Sequence, residues 1–278
     1  MASRRDPLDN PTTTDRLASL VRDAWNAVTL GRGTLEPRDP IVLVLVYLLA
    51  VSLLFVAVPS LDLALSRPFF VNGGFRAAHV ESLIRLRMLG DQLIILVLVV
   101  IIAAVLGKIV WPSRPIGIRP RSGLFMIATL AFGPGLVVNG LFKSFSGRPR
   151  PVAVDVFGGP SPFVPAWRFS DYCTSNCSFI SGEASSAMWL MGLVFLAPRR
   201  LRPLLAVPIG ALVAALSLNR IAFGGHFASD VLIAFGFTLL VMMVLYRLIV
   251  TSPFGARFDA AVEASLARTG RRLRARFR

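Results

Sequence analysis

Six long apolar runs dominate the pattern of hydrophobic and polar positions along this chain. In order, they cover residues 41–58, 92–111, 124–141, 179–196, 204–221 and 231–250. Because a helix needs roughly 20 mostly apolar residues to cross a bilayer, each run is long enough for one span. Several runs contain Gly or Pro, which membrane helices tolerate better than soluble ones. The pattern therefore predicts an all-α polytopic membrane protein, a bundle of six transmembrane helices.

Polar segments flank this apolar region at both ends. Residues 1–40 are predicted to form an N-terminal tail with a short surface helix near 14–28, and residues 251–278 a basic C-terminal tail. Residues 41–250 between them form the predicted membrane domain. No cleavable signal peptide is expected, because no apolar run precedes the first of the six. Residues 59–91 are predicted to be a loop whose Leu-, Ile- and Met-rich part lies on the membrane surface.

The distribution of basic residues predicts the orientation in the membrane. Most Lys and Arg residues lie in the segments 1–40, 108–123, 198–203 and 247–278. Because cytoplasmic segments carry the excess of Lys and Arg, both termini are placed in the cytoplasm. Residues 142–178 and 221–230 then share the outer face. The short loops and the Arg-rich composition suggest a bacterial inner membrane.

Composition narrows the classes of partner. The chain has 278 residues, 55% of them hydrophobic, and a formal net charge of +15. Such a charge would suit nucleic-acid binding, but a mean hydropathy of +0.67 argues for a membrane instead. No nucleic-acid partner is expected. The basic C-terminal tail is expected to contact anionic lipid headgroups.

Three short segments at the outer face hold the residues with candidate chemistry. Residues 143–151 bring Lys143, Arg148 and Arg150 to the end of the third run. Residues 179–185 begin the fourth run and contain a Ser-Gly pair. Residues 219–230 join the last two runs and contain an Arg, a His and an Asp. The topology brings all three segments to the same side.

The residue types in these segments suit a phosphate group. Lys and Arg bind tetrahedral oxyanions, and Arg does so through a planar fork. Ser181 and Gly182 open a helix, so free backbone N–H groups and the positive end of the dipole point outward. His226 and Asp230 are four residues apart, so a carboxylate can hold one imidazole nitrogen and leave the other free to attack. These residues predict phosphoryl transfer through a covalent phosphohistidine, and no metal site is expected.

The three segments resemble the signature of the type 2 phosphatidic acid phosphatase family, relatives of the vanadium haloperoxidases. The family pattern is Lys-x6-Arg-Pro, then Pro-Ser-Gly-His, then Ser-Arg-x5-His-x3-Asp. Lys143, Arg150 and Pro151 match the first part at the same spacing. The third part is matched by Arg220, His226 and Asp230. Order, intervals and topology agree over roughly residues 41–250.

The resemblance implies a role for each matching residue. His226 would be the nucleophile and Asp230 its orienting partner. Lys143, Arg150 and Arg220 would hold the phosphate, and Ser181 and the Gly182 backbone would donate further hydrogen bonds to it. No metal or other cofactor is implied. The implied activity is a lipid phosphatase that acts on a lipid A phosphate, undecaprenyl pyrophosphate or a phospholipid phosphate at the periplasmic face.

Three positions depart from the family pattern. Asn219 replaces a Ser, Ile180 replaces a Pro, and Glu183 replaces the second His, the general acid that protonates the leaving group. Glu183 is therefore a candidate general acid or, alternatively, a structural partner of an arginine. A leaving group that is itself a phosphate needs little help from an acid, so the replacement favours a diphosphate or an anomeric sugar phosphate.

Other interpretations of the same residues stay open. A lipid phosphotransferase on the same fold would pass the phosphoryl group to an acceptor other than water. A non-catalytic binder of lipid phosphate would also explain the replaced histidine. Arg148, outside the family pattern, is predicted to be a membrane anchor or a headgroup contact. Cys173 and Cys177 lie in the outer loop, where an oxidising compartment favours a disulfide over two free thiols.

Overall fold

The computed structural model describes residues 13–115 and 117–276, and this part of the chain is mostly helical, with very little strand. Its helices are α1 (Thr13–Val28), α2 (Pro40–Ala57), α3 (Ser60–Ser66), α4 (Glu81–Val110), α5 (Pro120–Leu130), α6 (Lys143–Phe145), α7 (Gly182–Trp189), α8 (Gly192–Leu196), α9 (Arg202–Ala222), α10 (Ala228–Leu245) and α11 (Pro253–Arg276). Two π-helical segments, Ala131–Phe142 and Tyr246–Thr251, connect α5 to α6 and extend α10. Short 3-10 turns occupy Arg67–Phe69, Arg76–His79, Pro151–Ala153, Asp155–Phe157 and Arg199–Leu201. Strands β1 (Phe70–Val71) and β2 (Gly74–Phe75) pair as an antiparallel hairpin.

Five helical stretches in the described residues are long and apolar enough to cross a membrane. They are Pro40–Ala57, Glu81–Val110, Pro120–Phe145, Arg199–Ala222 and Ala228–Thr251. The prediction of an all-α polytopic membrane protein is confirmed. The fourth predicted span, the run 179–196, is not among these five stretches and forms a shorter apolar stretch, Gly182–Leu196.

The helix of the fourth run is shorter because it starts late and is interrupted. Ser181 caps α7 by accepting a hydrogen bond from the Ala184 backbone, so residues 179 and 180 precede the helix. The helix ends at Trp189, and α8 begins only at Gly192. Helix α7 packs against α9, α10 and the π-helical segment 131–142, so its apolar residues fill the core of the bundle.

The segment 59–91 differs from its predicted form as a surface loop. After α3 and the hairpin, α4 begins at Glu81 and runs for 30 residues, so the Leu-, Ile- and Met-rich stretch forms the first turns of a long helix. Glu81 favours this start because a carboxylate stabilises a helix N-terminus. Its ion pair with Arg85, 2.9 Å long at i,i+4 spacing, adds to that preference.

Small residues let the membrane helices pack closely. Helices α2 and α10 share the most extensive contact, where Gly236 lies so near α2 that an added Cβ would be 2.4 Å from Leu48 Cδ2. Trp189 in the core donates its indole N–H to the Met126 carbonyl oxygen at 2.9 Å. Most apolar side chains of α4 are exposed or only half-buried, as lipid contact requires.

The terminal helices attach to one end of the bundle. The predicted helix near 14–28 is present as α1, and Arg247 donates hydrogen bonds to the Val28 carbonyl and to Asp39 beyond it. The C-terminal segment forms α11, which packs against α4 and α5. Gly270 makes this approach possible, because an added Cβ would lie 2.2 Å from the Ile109 carbonyl oxygen.

Candidate active site

The loop between α6 and α7 folds back tightly on itself. Gly147 has a φ of +59°, and a Cβ there would lie 1.4 Å from the Ser170 carbonyl oxygen. Ser170 donates from its backbone N–H to Ser146 O at 3.1 Å and from its hydroxyl to Gly147 O at 2.6 Å. Only glycine permits this approach. The pairing fixes the position of the basic segment that follows Gly147.

A disulfide ring in this loop supports two of the predicted cations. Cys173 and Cys177 are bonded, and Asn176 lies inside the ring that they close. The Asn176 side-chain oxygen accepts a hydrogen bond from Lys143 Nζ at 3.2 Å. Its backbone oxygen accepts from Arg150 Nε at 3.2 Å and Nη2 at 3.0 Å. Neutral oxygens therefore orient both cations and leave their charges for an anion.

The N-terminus of α7 lies beside Lys143, as the sequence predicts. The Ser181 hydroxyl accepts from Ala184 N at 3.2 Å and keeps its own proton to donate. A Cβ added to Gly182 would be 2.8 Å from Asn139 Oδ1 and 3.2 Å from Lys143 Nζ. Glycine thus keeps a space open between the helix N-terminus and the lysine, where an anion can approach the backbone.

Glu183 holds two arginines. Its Oε1 accepts from Arg87 Nη2 at 2.9 Å, and its Oε2 accepts from Arg87 Nε at 3.1 Å. Arg220 Nε lies 2.8 Å from Oε2, but its N–H does not point along a hydrogen bond, so this contact is an ion pair only. Arg220 is 6% exposed, whereas Glu183 and Arg87 are 31% and 47% exposed. Both carboxylate oxygens are therefore engaged by guanidinium groups.

His226 is almost fully buried, with its Nδ1 held by the protein backbone. Nδ1 lies 2.8 Å from the Ser178 carbonyl oxygen. A carbonyl can only accept, so Nδ1 carries the proton and Nε2 is left with a free lone pair. Burial lowers the pKa of the imidazole, and the neighbouring Asp230 carboxylate opposes that effect. The ring is thus neutral at neutral pH, as a nucleophile must be.

Asp230 acts on His226 through charge and not through a direct hydrogen bond. The sequence predicts that Asp230 holds one imidazole nitrogen, but its Oδ2 is 3.8 Å from Nδ1, because the Ser178 carbonyl takes that position. Oδ2 instead accepts from the Ser178 hydroxyl at 2.5 Å and from the Phe227 backbone at 2.9 Å. Ser178 therefore connects the two residues, one through its backbone and the other through its side chain.

Arg148 is fully buried, which contradicts its predicted role as an anchor or headgroup contact. Its Nη1 lies 2.5 Å from Asp230 Oδ1, and its Nη2 lies 2.8 Å from Asp62 Oδ2. The guanidinium carbon is 4.4 Å from the centre of the Phe227 ring, within cation–π distance. A cation with two carboxylate partners is stable inside the protein, so it does not need to reach the headgroups.

The structure brings the predicted site residues together. Lys143 lies within electrostatic range of Arg150, Glu183 and Arg220, and His226 within range of Lys143, Arg220 and Asp230. Four residues around this cluster were missed by sequence reasoning: Asp62, Arg87, Asn176 and Ser178. Asp62 and Arg87 are distant in sequence from their partners and carry no local signal. Asn176 and Ser178 flank Cys177, and that position beside the predicted disulfide is the one signal that could have drawn attention to them.

Comparison with known proteins gives consistent matches. The family model described as the PAP2 superfamily matches residues 122–253, which include every predicted site residue. A lipid A 4'-phosphatase of Rhizobium leguminosarum is 34% identical over 217 residues, covering 72% of this chain and 91% of the relative.

Two shorter matches agree. A lipid A 4'-phosphatase of Rhizobium etli is 42% identical over 130 residues, 47% of this chain and 51% of the relative. A lipid A 4'-phosphatase of Francisella tularensis subsp. novicida is 44% identical over 134 residues, 47% of this chain and 60% of the relative. No solved structure matches the chain.

Proposed function

Because the chain belongs to the PAP2 superfamily and is a lipid phosphate phosphatase, we propose that it removes the 4'-phosphate of a lipid A substrate through a phosphohistidine on His226. The observation that carries the mechanism is the buried His226, with its proton on Nδ1 and a free Nε2 near Lys143 and Arg220. The substrate rests on the three relatives, which share one name. A 4'-phosphate is a monoester, unlike the diphosphate or anomeric phosphate that the replaced histidine favoured.

The reaction proceeds in two displacements. His226 Nε2 attacks phosphorus in line, the bond from phosphorus to the sugar oxygen breaks, and water then hydrolyses the phosphohistidine. Lys143, Arg150 and Arg220 neutralise the charge on the phosphoryl oxygens as it spreads in the transition state. The Ser181 hydroxyl and the backbone N–H groups at the start of α7 donate the remaining hydrogen bonds.

Glu183 serves in this mechanism as the holder of Arg87 and Arg220 and not as the general acid. The support is geometric, since both of its oxygens are engaged by guanidinium groups. The departing sugar oxygen takes its proton from water, which reaches the site beside the half-exposed Arg87. A limb of the pH–rate profile that disappears in Glu183→Gln would contradict this role.

The orientation in the membrane follows from the distribution of charge. The chain lies in a bacterial inner membrane, with both termini in the cytoplasm and the site facing the periplasm. The membrane domain of residues 41–250 carries the site, between the N-terminal segment 1–40 and the C-terminal segment 251–278. The exposed arginines of α11 contact anionic lipid headgroups: Arg268, Arg271, Arg272, Arg274 and Arg276.

Phosphate release from a panel of lipids tests the substrate. Lipid A with a 4'-phosphate should be hydrolysed with a kcat/KM about 10-fold or more above phosphatidic acid and undecaprenyl pyrophosphate. Lipid A that lacks only the 4'-phosphate is the matched control and should release none. Equal rates on all three lipids would overturn the proposed specificity. Transfer of phosphate to an added lipid acceptor, without free phosphate, would show a phosphotransferase instead.

Substitution of Gly182 tests where the phosphate binds. A Cβ at this position enters the space beside Asn139 Oδ1 and Lys143 Nζ, so Gly182→Ala should raise KM for the lipid phosphate about 10-fold or more. Gly210 on α9 has no atom within 4 Å of its would-be Cβ, and Gly210→Ala is the matched control, with unchanged kinetics. An unchanged KM in Gly182→Ala would place the phosphate elsewhere.

A further inference from the structure

Asp62 belongs to the site although it lies outside the segment that the family model matches. It lies on α3, sixty residues before the first matched position, and is completely buried. Its Oδ1 accepts from the Ser229 backbone at 2.9 Å, and its Oδ2 accepts from the Ser229 hydroxyl at 2.6 Å and from Arg148 Nη2 at 2.8 Å. Three donors meet the carboxyl group, which is the environment of a charged carboxylate.

Arg148 connects Asp62 to Asp230 through the two ends of one guanidinium group. Nη2 contacts Asp62, while Nη1 contacts Asp230 at 2.5 Å and the Ser229 hydroxyl at 2.8 Å. All three charged side chains have no exposed surface. In such a place each charge acts strongly on its neighbours, because water does not screen it.

The charges of the buried cluster formed by Asp62, Arg148 and Asp230 explain why two carboxylates are present. A pair of Arg148 and Asp230 alone would be neutral. The positive charge of Arg148 would then largely cancel the electrostatic effect of Asp230 on His226. With Asp62 included, the cluster carries a net charge of −1. The other charges that act on His226 are those of the cations Lys143 and Arg220. The imidazole ring of a phosphohistidine that keeps its Nδ1 proton carries a positive charge. A negative group beside it stabilises that charge as it forms.

We propose that Asp62 is a positioning residue for catalysis, which acts through Arg148 to keep the negative charge of Asp230 available to His226. This inference rests on the proposed function, in which His226 is the nucleophile. A purely structural role explains the geometry less well, because a buried ion group gives little net stability over apolar side chains of similar size. Burial raises the pKa of Asp62, and Arg148 opposes that effect.

The test compares Asp62→Asn with Asp39→Asn in the full-length protein. Asp39 forms a nearly buried ion pair with Arg247, 2.7 Å long, so its loss controls for the removal of a buried charge pair. Asp62→Asn should lower kcat for lipid phosphate about 10-fold to 100-fold, with KM changed less than about 2-fold. The acid limb of its kcat/KM profile should move to lower pH, because loss of a negative charge makes His226 harder to protonate. Asp39→Asn should have the kcat of the wild type and the same acid limb of the kcat/KM profile.

Conservative variants separate charge from packing. Asp62→Glu keeps the charge but adds a methylene to a full site, so it should retain a higher kcat than Asp62→Asn if charge matters. If Asp62→Asn does not yield folded protein, Arg148→Lys is measured instead, since one ammonium cannot bridge both carboxylates and kcat should again fall. The inference is overturned if folded Asp62→Asn, or Arg148→Lys in its place, has the wild-type kcat. It is also overturned if Asp39→Asn shows the same loss of kcat, or if Asp62→Glu has a lower kcat than Asp62→Asn. Turnover by His226→Ala would instead overturn the proposed function itself.

Discussion

Replacement of His226 by alanine should lower kcat for phosphate release by about 10,000-fold or more, because it removes the Nε2 lone pair that is proposed to attack phosphorus. The measurement is release of inorganic phosphate from a lipid A substrate by the purified variant. With labelled substrate, acid-labile phosphate attached to the protein should appear in the wild type and be absent from His226→Ala.

The chain provides a matched control for this variant. His79, the other of its two histidines, is exposed in the 3-10 turn before α4, and His79→Ala should keep wild-type turnover. His226→Ala should remain folded, since loss of the bond to the Ser178 carbonyl costs only about 1–3 kcal/mol. Turnover above a few percent of wild type, in folded protein, would exclude His226 as the nucleophile.

The sequence was sufficient for the parts of the site that share a local motif. Lys143 and Arg150 are seven residues apart at one helix end, and His226 and Asp230 are four apart, so spacing alone indicates that each pair is close. Ser181 and Gly182 could be placed at a helix N-terminus because both residue types are typical of that position. The structure agrees with these placements, and all of them lie in the segment that matches the family.

Contacts between distant segments could not be predicted in the same way. Glu183 and Arg87 are separated by 96 positions, and Asp62 and Arg148 by 86, so no periodicity connects them. The sequence left the role of Glu183 open between an acid and a partner of an arginine. Arg148 was misplaced because an arginine near a membrane boundary is expected to reach water, and its two buried carboxylate partners were not visible in the motif.

The hydropathy pattern predicted the class of fold but not how deeply each helix is buried in the bundle. The runs 92–111 and 179–196 are similarly apolar, yet the apolar part of α4 faces outward while α7 fills the core. Hydropathy cannot distinguish these cases, because lipid and protein interior are both apolar. It also missed the start of α4, since Arg85, Arg87 and Asp91 interrupt the apolar pattern within one continuous helix.

Replacement of Arg220 by alanine should lower kcat/KM about 1,000-fold, because the charge of this expected phosphate ligand acts directly on His226, the proposed nucleophile. Arg220 is 6% exposed, and a cation in such a poorly hydrated position strongly stabilises phosphoryl oxygens in the transition state. The fold should survive, because Glu183 keeps its two hydrogen bonds from Arg87 and remains partly hydrated. Phosphate release by the purified variant measures the loss.

Arg87→Ala is the control that separates phosphate binding from the ion pair with Glu183. Arg87 contacts the same carboxylate as Arg220, but its side chain is 47% exposed and it lies outside the matched motif. If Arg220 binds the phosphate, Arg87→Ala should lose less than about 10-fold in kcat/KM, far less than Arg220→Ala. Equal losses in the two variants would mean that both arginines only support Glu183. The phosphate-binding site would then consist of Lys143, Arg150 and the N-terminus of α7.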